Sequence, residues 1–178
     1  MTTDRSVDLG LQEQASSSQK EVRWLSLRCL SHLGQFRDLV TSLGDTAHRL
    51  VWPDYIDELR SAIARSPETA ASVHADLEKQ YPQQAAELYR MLWGYTDEDL
   101  QAGEADNLVR ALEDRSLAVR VLSIWNLHDI TRASHGYQPE QPAAKRLPSV
   151  RRWNQWLKEQ KLQWHNNEEK SAAPRSAS

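Results

Sequence analysis

Apolar residues recur along this chain at spacings of three and four, the pattern of helices that bury one face. From Val22 the stripe reads Val22, Leu25, Cys29, Leu30 and Leu33. A short helix fits Phe36 to Leu43 and stops at Gly44. Pro53 suits the first helical position of a segment with Tyr55, Ile56, Leu59 and Ile63 on its apolar side. Ser66 and Pro67 repeat that start signal, Ser66 as N-cap, for a helix carrying Val73, Leu77 and Tyr81. Pro82 interrupts, and a further helix shows Ala85, Leu88 and Leu92 before Gly94. Thr96 and Asp99 have capping-box spacing, with Asp replacing the usual Glu. Leu108, Ala111 and Leu112 mark a short helix, and Ser116 caps one bearing Val119, Leu122, Trp125 or Asn126, and Ile130. Pro148 is placed at the first turn of the last helix. No run alternates with period two between turn signals, so the expected class is all-α.

Both ends read as unstructured. Residues 1–18 hold no sustained apolar period, and residues 165–178 close on a Ser, Ala and Pro-rich run with nothing to bury. The expected organisation is therefore a disordered arm over 1–18, a helical-repeat domain over 19–164 and a disordered tail over 165–178.

Two of the helices resemble each other. Val22-Arg23-Trp24-Leu25-Ser26-Leu27-Arg28-Cys29-Leu30 aligns with Val119-Arg120-Val121-Leu122-Ser123-Ile124-Trp125-Asn126-Leu127, with Val, Arg, Leu, Ser and the final Leu shared. Self-similarity of this kind marks stacked helical hairpins, although two amphipathic helices share a period by construction. The shared pattern resembles the inner helix of HEAT and armadillo-like repeats. That resemblance implies Ser26 and Ser123 as small residues at close helix approaches, and Arg23 and Arg120 as residues pairing with an acidic group of an adjacent loop. Leu88-Tyr89-Arg90-Met91-Leu92-Trp93-Gly94-Tyr95, the Gly136-Tyr137-Gln138-Pro139 loop and Arg151-Arg152-Trp153 with Trp156 resemble HEAT-like modules of uncharacterised bacterial proteins. The likeness implies an irregular HEAT-like stack, a right-handed superhelix of hairpins, and no particular chemistry.

Tryptophan changes the picture at the C-terminus: there are 7 Trp against 1 Phe. Trp153, Trp156 and Trp164 share one face of the last helix with Val150, Leu157 and Gln160. The structural reading is a lid whose Trp face seals the stack over the Gly136 to Pro139 loop. Two functional readings compete for the same helix. It offers either a basic amphipathic surface for an anionic membrane or a phosphate-binding surface for nucleic acid, through Lys145, Arg146, Arg151, Arg152, Lys158 and Lys161.

Charge is unevenly placed in a chain of 178 residues and net charge −3. Residues 54–114 hold 14 acidic and 5 basic side chains, whereas residues 115–161 hold 3 and 9. The two blocks dock on each other, present unlike faces to partners, or are solvated faces of one domain. A single Cys excludes an intramolecular disulfide and a Cys-rich zinc site. No apolar run reaches the roughly 18 residues of a membrane span, so the expected setting is cytoplasmic.

Catalytic patterns are absent by spacing. The six His form no His-Glu-x-x-His, and no Gly-rich phosphate loop or Gly-x-Ser-x-Gly occurs. Cys29 and His32 share a helix face, where a Cys is ordinarily a small core residue. His128 and Asp129 point apart. Asp97, Glu98 and Asp99 would raise a carboxyl only if buried, and suit a helix start for its dipole alone. The expectation is a non-enzymatic protein-binding or scaffold module without cofactor or metal. The alternatives are a binder of nucleic acid or membrane through the basic helix, and an enzyme with a pocket between helices.

Overall fold

The computed structural model describes the chain from Thr3 to Ala172, with side chains described for residues 9–160. Among the described residues all regular structure is helical. The elements are α1 (Thr3–Gln14), α2 (Lys20–His32), α3 (Arg37–Ser42), a single 3-10 turn (Thr46–His48), α4 (Trp52–Arg65), α5 (Pro67–Gln80) and α6 (Ala85–Trp93). A turn of α-helix, α7 (Asp97–Asp99), runs through a π turn at Leu100–Glu104 into α8 (Ala105–Ala111), followed by α9 (Leu117–Thr131) and α10 (Ala143–Ala172).

The start and stop signals act as their chemistry requires. Ser66 Oγ accepts from Thr69 N at 3.2 Å and Ser116 Oγ from Val119 N at 3.5 Å, each satisfying an otherwise orphaned helix donor. Thr96 and Asp99 complete a reciprocal capping box, with Asp99 N donating to Thr96 Oγ1 at 3.2 Å and Thr96 N to Asp99 Oδ2 at 2.9 Å. Gly94 ends α6 at φ 78°, a left-handed value costly for any residue with a Cβ.

Helix α4 is the hub. It packs on α5, α2, α6, α3 and α9, and buries Tyr55, Ile56, Leu59 and Ala62 completely. Polar ties fix its neighbours. Glu58, buried, accepts from Ser31 Oγ at 2.6 Å and from Arg65 Nη2 at 3.1 Å, joining α2 to α4. Arg60 donates to Asn126 Oδ1 at 2.8 Å, while Asn126 Nδ2 donates to Met91 O at 3.1 Å, so α4, α6 and α9 share one network. A buried amide with both ends bonded specifies one packing geometry, since any other leaves it unsatisfied.

Four readings of the sequence are corrected. The N-terminal arm is helical from Thr3 to Gln14 and packs on α2. Its Leu11 lies against the core, Ala15 after it is buried, and Gln12 Nε2 donates to Gln35 Oε1 at 3.0 Å. The stripe assigned to α2 is turned. Leu25 and Leu33 are exposed, while Ser26, Leu27, Leu30 and Ser31 are buried, because α1 and α4 cover the adjacent face. Helix α10 begins at Ala143 rather than at Pro148, which sits inside it. The proposed tail is helical through Ala172, and 173–178 lie outside the described residues.

Candidate functional site

The two similar segments fall on α2 and α9, each preceded in the chain by the helix it packs against, α1 and α8. Their arginines act alike. Arg23 Nη1 donates to the carbonyl of Ser17 at 3.0 Å, and Arg120 Nη1 to the carbonyl of Asp114 at 2.7 Å, in both cases six residues back. Each therefore clamps the loop entering its own helix, through backbone oxygens and not the acidic side chain expected of it. Ser26 and Ser123 are both buried, and Ser123 Oγ donates to Leu108 O of α8.

Two of the three tryptophans expected in the lid, Trp153 and Trp156, have described side chains on α10. Trp153 is fully buried, edge-on to His135 at 4.5 Å and to half-buried Trp156 at 5.5 Å. The loop lies beneath it: Tyr137 is buried and donates from its hydroxyl to Leu112 O. The side chains of Trp164 and Lys161 lie outside the described residues.

The six candidate anion-binding residues do not form one surface. Arg146 is buried, its Nη1 donating to Leu112 O at 2.7 Å and to the Tyr137 hydroxyl at 3.2 Å. Beginning α10 at Pro148 leaves Arg146 outside the helix. With the helix begun at Ala143, Arg146 lies seven residues before Trp153, about 20° away on the same stripe. Arg152 is exposed but holds His135 O at 2.7 Å. Lys145, Arg151 and Lys158 face solvent. Arg120 meets Arg146 at this junction, and burial, then the neighbouring Arg146 charge, lower its pKa.

Two concavities are better formed. The larger is an apolar groove of about 870 Å³ along α5, walled by Ile63, Ala64, Ala70, Ala71, Ala75 and Tyr89, with Trp93 at its rim. Small residues on α5 make the trough. Tyr89 of α6 stands edge-on to His74 of α5 at 4.8 Å and to Trp93 at 6.3 Å, so α6 supplies an aromatic wall opposite. Trp93 is 60% exposed, an indole left in water by a chain that buries Trp52 and Trp153. The periodic reading of α6 stopped at Leu92 and missed it. The signal was its position outside the Ala85, Leu88, Leu92 stripe.

The smaller cavity, about 330 Å³, lies between α6 and α8 and gathers Glu87, Glu104, Asp114, Tyr95 and Arg90. Arg90 is occupied by Asp99 at 3.0 Å and stacks 4.3 Å over the Tyr95 ring. Burial, then the Glu104 charge, pushes the Tyr95 hydroxyl up to about 12. Burial also raises Glu87, with Asp114 and Glu104 adding to it. Asp99 of the acidic run moves the other way, lowered first by the Thr96 backbone bond. A carboxyl raised on folding stabilises the fold while protonated. That contribution is lost as pH climbs from the ordinary value of 4.5 through the folded one. Glu87→Gln is therefore expected to raise the melting temperature at neutral pH and leave it unchanged below pH 4.5. An equal shift in both thermal melts would place the cause elsewhere.

Among the described residues, no group of three or more His, Cys, Asp or Glu is placed to hold a metal ion, and no helix is long and apolar enough to cross a membrane. Cys29 and His32 form no bonded pair, and Asp129 is engaged by Arg60 at 3.1 Å and Arg132 at 3.2 Å rather than by His128. Comparison of the chain with protein-family models, with curated proteins and with solved structures finds no match.

Proposed function

We propose that this chain is a non-enzymatic, cytoplasmic protein-binding module, built as an irregular HEAT-like stack, whose docking face is the groove along α5. The observation that carries the reading is Trp93. A 60% exposed indole beside an open apolar trough is the kind of surface that protein partners cover, since Trp is the residue most enriched among binding hot spots. The equivalent clamps made by Arg23 and Arg120 support the repeat reading, because two helices alike only in period have no reason to place an arginine on the carbonyl six residues back. The basic-helix alternative is weakened by the burial of Arg146. The test replaces Ala75 or Trp93 with benzoyl-phenylalanine and irradiates living cells. A discrete crosslinked product is expected at both positions and absent when the probe replaces exposed Gln155 of α10. Identical products at all three positions, or none at the groove, would overturn the assignment.

A further inference from the structure

The groove's surroundings define what fills it, an inference that rests on the docking role just proposed. Every basic side chain on the helices around the trough is already engaged. Arg65 is held by Glu58 at 3.1 Å, Arg60 by Asp129 at 3.1 Å, Lys79 by Asp76 at 3.0 Å and Arg90 by Asp99 at 3.0 Å. The acids are not matched in the same way. Glu78 lines one end of the groove and, among the described residues, has as its only ion-pair neighbour the imidazole of His74, at 3.6 Å. Glu68 is exposed at the other end, next to Pro67 of the lining, and makes no ion pair with Lys or Arg among the described residues. Ten residues of helix separate the two carboxylates, about 15 Å along α5. The block of residues 54–114 to which these helices belong holds 14 acidic and 5 basic side chains.

We infer that the occupant is an amphipathic α-helix of a partner protein. Its apolar stripe lies on Ala71, Ala75 and Trp93, and Lys or Arg residues about three turns apart on its flank meet Glu68 and Glu78. Three features converge on a helix with positive flanks. The α5 residues that line the trough run from Pro67 to Glu78, about 16 Å of helix, the span of about three helical turns of a partner. Its floor of alanines admits a helix with bulky apolar side chains, placed at the i, i+3, i+4, i+7 spacing by which helices read grooves. At each end a carboxylate is held by no Lys or Arg among the described residues, Glu68 at one and Glu78, beside the His74 imidazole, at the other. A second copy of this chain is disfavoured as occupant, because α5 against α5 brings two acidic blocks together.

The test uses a fluorescein-labelled model helix of about 14 residues, leucines on one face and lysines on the other, and a twin with glutamates in place of the lysines. Anisotropy is followed with the full chain at low and high salt. Two surface ion pairs amount to about tenfold in affinity, so the lysine helix is expected to bind at least about tenfold tighter at low salt, with the margin shrinking at high salt. Glu68→Lys with Glu78→Lys is expected to reverse the preference, and Ala71→Trp, at an exposed position, to abolish binding of both peptides by filling the trough. Equal binding of the two peptides, both lost in Ala71→Trp, overturns the basic partner and leaves a docking groove. Binding indifferent to Ala71→Trp overturns the groove itself. A doubling of mass in light scattering that Ala71→Trp abolishes identifies a second copy and overturns the inference.

Discussion

Replacing Trp153 with alanine is expected to destabilise the protein by about 3–5 kcal/mol, measured by urea denaturation. The indole is fully buried and edge-on to both His135 and Trp156, so its removal empties a large volume within the seal between α10 and the loop. A buried Trp takes about 150–250 Å² out of water, and that burial is lost together with both ring contacts. Trp153→Phe keeps part of the fill and is expected to cost about half as much. Trp156→Ala, at a half-buried site, should fall below Trp153→Ala. A cost under about 1 kcal/mol for Trp153→Ala would mean that α10 does not seal the core.

Arg120→Ala carries the second-largest expected effect, about 2–4 kcal/mol, because it strands three carbonyls at once. Nε serves Pro139 O at 2.9 Å, while Nη1 serves Asp114 O at 2.7 Å and Arg115 O at 2.8 Å. Two effects oppose each other. Losing the guanidinium relieves repulsion with Arg146, but the buried Pro139 carbonyl left unbonded costs about 1–3 kcal/mol, and the part-buried Asp114 and Arg115 carbonyls add to it, which together outweigh a single partly screened repulsion. Arg23→Ala is the internal control. Half-buried, holding one carbonyl, Ser17 O at 3.0 Å, and lying beside the Tyr55 hydroxyl, it is expected to cost less than Arg120→Ala, about 1 kcal/mol. Equal losses in the two variants would show that the network around Pro139 contributes little. Chemical denaturation of both, with hydrogen exchange of residues 132–142, separates global from local loosening.

Local signals made the middle of the fold readable. Capping at Ser66, Thr96 and Ser116, the proline at the start of α4 and the glycine closing α6 are decided within a few residues, and tertiary packing had only to respect them. Faces were harder. Leu25 and Leu33 fit a helical stripe as well as Leu27 does, and the choice between adjacent stripes is made by α1, which composition alone suggested was unstructured. Arg146 shows the same limit. Its charge reads as surface, yet backbone oxygens from Leu112, remote in sequence, pull it inside. The groove was not legible at all, because alanines on α5 look like solvent-facing helix until α6 is placed alongside.

The π turn before α8 has a consequence for chain length. Gly103, at φ 120°, lets Leu100 enter the core while Asp99 reaches back to Arg90 and Glu104 opens onto the smaller cavity. A helix with one residue fewer would turn everything upstream by about 100° relative to α8, so Leu100 would leave the interior and the Arg90 pairing would be lost. Shortening this corner by a single codon is therefore more disruptive than most point changes nearby, and functional homologous chains should keep its residue count even where their side chains differ.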